Sequence, residues 1–125
     1  MSVTFDVIGI AVRDMRASLQ FYRRLGLPVP DGMEGEMHVE MSLGGIRLAW
    51  DTVEMLQDVY NGWDEPSGHC VELAFRCDTR EEVDEVYDRL MQDGYRGHKE
   101  PWDALWRQRY AIVKDPDGNL MSLYA

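Results

Sequence analysis

The sequence predicts an α+β fold: two tandem βαβββ modules whose strands join into a curved mixed sheet, with a concave cavity and with helices on the convex side. Internal repetition is the first ground. Val7 to Val12 (VIGIAV) through Tyr22 and Leu25 aligns without a gap on Glu72 to Cys77 (ELAFRC) through Tyr87 and Leu90, a strand followed by a helix in each copy. Period-two alternation of apolar and polar residues in the following segments is the second ground, and helix caps at Asp14 and Thr79 are the third.

The opening strand covers about residues 4 to 12. Asp14 caps a helix running through Phe21, Tyr22 and Leu25, and Gly26 ends it ahead of Pro28 and Pro30. Met37 to Leu43 alternates as a half-buried strand does, Gly44-Gly45 supplies a hairpin turn, and Ile46 to Trp50 returns. This unit is βαβββ or βαββ, depending on whether residues 28 to 36 add an edge strand. Leu56 to Gly68, rich in Asp, Asn, Gly, Pro and Ser, is expected to be a linker with one helical turn. The second unit opens near Cys70. Thr79 with Glu82 forms a capping box, Val83, Val86, Tyr87, Leu90 and Met91 form an apolar stripe, and Gly94 stops the helix. A loop holding Pro101, Trp102 and Trp106 is then expected, followed by a strand over Arg109 to Val113, the turn Asp115-Pro-Asp-Gly-Asn119 and a last strand over Leu120 to Tyr124. Residues 1–125 thus form one domain, with module 1 at about 1–55, the linker at about 56–68 and module 2 at about 69–125.

Composition bounds the function. A chain of 125 residues buries one real core, and no apolar run reaches the ~20 residues that cross a bilayer. The start carries no basic segment or cleavage signal, so cytoplasmic residence is expected. Cys70 and Cys77 fall on one extended strand, about 23 Å apart at roughly 3.3 Å per residue, too far to bridge. A net charge of −10 argues against nucleic acid as a partner, because phosphate binding draws on basic patches. No nucleophile elbow, phosphate loop or CxxC pair occurs, and Pro116 with Gly118 makes the Asp115 segment a turn rather than a calcium loop.

Alternation assigns the faces. Ile8, Ile10, Val12, Leu73, Phe75 and Cys77 point to the helices, whereas Val7, Gly9, Ala11, Glu72, Ala74 and Arg76 point to the cavity. By the same rule His38, Glu40, Arg47 and Ala49 point inward, Met37, Val39, Met41 and Leu48 pack against the helices, and Trp50 belongs to the core.

Ile8 to Asp14 (IGIAVRD) with Ser18, Phe21-Tyr22 and Leu25-Gly26, and Asp115-Pro-Asp-Gly-Asn119 before a short apolar strand, resemble the vicinal oxygen chelate superfamily, which includes glyoxalase I, extradiol dioxygenases and bleomycin-resistance binding proteins. The resemblance covers nearly the whole chain, and the superfamily hosts many activities. It implies metal ligands from the first and last strand of each unit, here Val7, Ala49, Glu72 and Ser122. Glu72 alone could ligate, and one carboxylate is a poor site for Zn, Ni, Fe or Mn, so no metal, cofactor or catalytic residue is expected.

His38 could be a ligand beside Glu40 and Glu72, a hydrogen-bonder or general base, or simply structural. Glu40 and Glu72 could act as acid and base, or be neutralised by Arg47 and Arg76. Trp102 and Trp106 could stack on a flat or cationic ligand, or pack in a core or dimer. The resemblance therefore points first to a metal-free binder of a hydrophobic, aromatic or cationic small molecule, such as an antibiotic, held by His38, Glu40, Arg47, Glu72, Arg76, Trp102, Trp106, Arg109 and Tyr110. A glyoxalase- or dioxygenase-like metalloenzyme around His38, Glu40 and Glu72 is the alternative, and a metal-independent catalyst using the two acids is a third. Small members of the superfamily resemble one another in forming homodimers, so self-association is expected.

Overall fold

The computed structural model describes residues 2, 4–69 and 71–125. It is a mixed α+β fold, with seven strands in two mixed sheets and three helices among the described residues: β1 (Val7–Val12), α1 (Met15–Leu25), β2 (His38–Leu43), β3 (Ile46–Thr52), α2 (Val53–Val59), β4 (Leu73–Arg76), α3 (Arg80–Gln92), β5 (Arg96–Asp103), β6 (Arg109–Lys114) and β7 (Leu120–Tyr124). The sheets run β1-β3-β2 and β4-β7-β6-β5. In each, the first strand pairs parallel with the last, and the last pairs antiparallel with its hairpin partner. The repeat in the sequence is thus a repeat of topology. The chain divides into two compact units, Met1–Gln20 with Pro28–Pro66, and Phe21–Leu27 with Ser67–Ala125.

Local chemistry places the helices. The Asp14 carboxylate accepts from the Ala17 amide at 3.1 Å and the Thr79 hydroxyl from the Glu82 amide at 3.2 Å, as the caps predict. Gly26 and Gly94 take φ of +123° and +89°, and the next amides, of Leu27 and Tyr95, reach back to the carbonyls of Tyr22 and Leu90. Gly44 and Gly45, with φ of +54° and +102°, turn the β2–β3 hairpin.

Some expectations on the elements need correction. Residues 28–36 form no strand, so the first module is βαββ: Pro28 and Pro30 lack amides for a ladder, and Gly32 adopts a φ of +76°. The expected loop before Arg109 is in large part a strand, β5, whose register against β6 shifts twice. As an edge strand it presents mostly exposed polar residues and tolerates Pro101, which erases the alternation that would reveal it. Within the supposed linker, α2 is longer than one turn and starts earlier, at Val53, because Thr52 caps it by accepting from the Met55 amide.

In the first unit Ile10, Val12, Val39, Met41, Leu48 and Trp50 are buried, with α2 lying against β1 and β3. Met37, expected among them, is instead 46% exposed, just outside β2. In the second, α3 covers β5, β6 and β7, and Ala111, Val113, Met121 and Leu123 are buried. Asp115 is buried too. Its carboxylate accepts from the amides of Asp117 and Asn119, from Asn119 Nδ2 and from the Tyr22 hydroxyl at 2.8 Å. Burial and that neighbouring carboxylate push the Tyr22 phenol far above its usual range. Cys77 is a free thiol raised by burial and by Glu82 and Asp78; Cys70 and its expected strand position lie outside the described residues. No described helix is long and apolar enough to cross a membrane.

Candidate functional site

The open face of the three-stranded sheet carries an ionic network. Register places His38 opposite Asp51 and Ser42 opposite Arg47, with Glu40 between them along β2. His38 donates from Nδ1 to Asp51 at 2.5 Å and from Nε2 to Glu40 at 2.9 Å. Only an imidazolium can donate at both nitrogens, and these bonds, Asp51 first, raise the His38 pKa. Arg47 forks onto both Glu40 oxygens, at 3.0 and 2.9 Å, and also donates to Asp6. The bonds from His38 and then Arg47 hold the Glu40 carboxyl below its ordinary value. Gly9 leaves room for this arrangement, since a Cβ there would stand 3.2 Å from Asp51 Oδ2.

The open face of the four-stranded sheet carries aromatic rings. Arg76 pairs with Tyr124, Tyr124 with Tyr110, and Tyr110 with Trp102, one residue from each strand in a single row. Tyr110 and Tyr124 stack at 6.1 Å, while Trp102 and Trp106 meet the Tyr110 ring edge to face at 5.3 and 5.4 Å. Lys99 Nζ sits 3.8 Å over Trp102. Ala74, Ser122 and Ile112 form the adjoining row.

The candidate residues therefore fall into two groups. His38, Glu40 and Arg47 are joined in the first unit, and Arg76, Trp102, Trp106 and Tyr110 lie on one face of the second. Arg109 does not belong with Tyr110. Adjacent on β6, it points to the opposite face, where it forks onto Asp84 of α3 and reaches Asp103. Glu72 precedes β4, is exposed, and forms no ion pair with Arg76 among the described residues. Asp6, Asp51, Lys99 and Tyr124 were missed. Asp51 and Tyr124 were legible by carrying the alternation of β3 and β7 two residues further; Lys99 was not, because β5 shows no period.

The metal positions implied by the resemblance do not suit a metal. Val7 and Ala49 have no donor and Ser122 offers a hydroxyl, leaving Glu72. His38 turns its two nitrogens to different carboxylates, Asp51 and Glu40. No group of three His, Cys, Asp or Glu side chains among the described residues is placed to hold one ion.

A family model described as Glyoxalase/Bleomycin resistance protein/Dioxygenase superfamily matches residues 4–123. The uncharacterized protein YraH of Bacillus subtilis (strain 168) is 30% identical over 124 residues, spanning 94% of each chain. Among solved structures, a glyoxalase/bleomycin resistance protein/dioxygenase family enzyme from Burkholderia phytofirmans PsJN superimposes with a TM-score of 0.81 at 20% identity, covering 95% of each chain. A glyoxalase-related enzyme from Fulvimarina pelagi gives 0.82 at 21% identity, over 97% of this chain and 86% of that one. At such identities the structural likeness is one of fold.

Proposed function

The chain belongs to the Glyoxalase/Bleomycin resistance protein/Dioxygenase superfamily, and we propose that within it the protein is a metal-independent binder that sequesters a hydrophobic small molecule with an aromatic face, antibiotics being one such class. The observation that carries this reading is the row of rings Tyr124, Tyr110 and Trp102, flanked by Trp106, on the open face of the second sheet. Trp106 is 57% exposed, so ring surface remains for a ligand to cover. Stacking contributes about 0.5 to 1.5 kcal/mol per aromatic pair beyond area burial, so three such contacts supply about 1.5 to 4.5 kcal/mol toward binding. Lys99 already covers one face of Trp102, which weighs against a cationic ligand stacking there. The donor set at Val7, Ala49, Glu72 and Ser122 supports metal independence.

Calorimetric titration with 2-naphthol, a neutral two-ring probe, tests the reading. Binding that persists after extensive chelation and weakens at least tenfold in Trp106→Ala and Tyr110→Ala is expected. Affinity unchanged in both variants, or strictly dependent on added Zn, Mn or Ni, would remove it.

A further inference from the structure

We infer that the ligand of this surface is a planar aromatic anion, a fused ring bearing a carboxylate, with Arg76 as its anchor; the inference rests on the binding reading above and narrows its ligand class. Strand register puts Arg76 at the end of the aromatic row, next to Tyr124. Neighbouring strands lie about 4.8 Å apart, so a carboxylate held at Arg76 lays its attached rings across Tyr124 and Tyr110, two strands on. Ala74, in the adjoining row, is small and exposed, and leaves space beside the ring.

Charge selects the anion. The chain has 23 acids against 13 bases, and four arginines of the second unit are engaged: Arg24 with Asp93, Arg80 with Asp103, Arg109 with Asp84, Arg89 with the Arg24 carbonyl. Arg76 forms no ion pair or hydrogen bond among the described residues, although exposed. Its planar fork matches a carboxylate through two parallel bonds, a geometry that an ammonium lacks. Lys99 adds a second positive charge at the far end of the row, over Trp102. Glu72, just before β4, lies four residues before Arg76, about 13 Å of extended chain. The net charge of −10 opposes an anion only weakly at short range, because physiological salt screens exposed charges beyond about 8 Å.

Three probes sharing one ring system separate this inference from the reading beneath it: 2-naphthoate, neutral 2-naphthol and the cation 2-naphthylmethylammonium, each titrated calorimetrically into wild type, Arg76→Gln and Arg76→Lys. Naphthoate is expected to bind at least tenfold more tightly than the cation. Arg76→Gln should abolish that preference, weakening naphthoate at least tenfold more than naphthol with the unfolding temperature unchanged, and Arg76→Lys should restore it in part. Naphthol binding through Tyr110 with no preference for naphthoate, or a preference that survives in Arg76→Gln, would overturn the anion and leave the aromatic binder standing. Absence of binding by all three at millimolar concentration would overturn both.

Discussion

Asp115 shows what a single buried residue can organise. Its carboxylate meets two turn amides, the Asn119 side-chain amide and the Tyr22 hydroxyl, so the charge is fully hydrogen-bonded although buried. Asp115→Ala removes all four acceptor contacts and leaves the buried phenol of Tyr22 without this partner, whereas Tyr22→Phe removes one donor from a group that keeps three. Urea denaturation should show a loss of about 3 kcal/mol or more for Asp115→Ala and about 1 to 2 for Tyr22→Phe. Equal losses would mean that the turn contacts add nothing. The turn was legible from Pro116 and Gly118. Tyr22, 93 residues away, was legible as an apolar helix position but not as the partner of this acid, because no local period encodes a contact at that separation.

At the scale of elements, the β2–β3 hairpin turns alternation into electrostatics. His38 and Asp51 are directly opposed, and Glu40 and Arg47 complete a chain of opposite charges across the pair. Because the folded His38 pKa lies above its ordinary 6.5, the stabilisation from its protonated form is fully present below about pH 6.5 and is lost as pH rises through the folded value. The size of that contribution is modest, since 47% of the side chain is open to water. Proton NMR titration should place the His38 midpoint above 6.5, and Asp51→Asn should bring it down; a midpoint at or below 6.5 in the wild type would show that the network does not hold in solution. The hairpin was readable because one face is buried and the other wet. Strand β5 was not, because its bulged edge alternates nothing.

At the scale of the whole molecule, each sheet ends in strands whose outer hydrogen-bonding groups are unpaired within that sheet: β1 and β2 in one, β4 and β5 in the other. The edge β1 is wholly apolar in sequence, and covering it by self-association is the expected solution. Native mass spectrometry should therefore give twice the 14.5 kDa chain mass at micromolar concentration, and a single-chain mass persisting at tens of micromolar would exclude the dimer. By itself the sequence determined the repeat, helices α1 and α3 with their caps, and which residues of β1, β2 and β4 face the buried side, because periodicity and capping are properties of neighbours along the chain. Only the tertiary structure decided that His38 lies between Asp51 and Glu40, that Arg109 is held by Asp84, and that Arg76, Tyr124, Tyr110 and Trp102 form one row. Those facts depend on strand order and register, which bring together residues that no local pattern relates.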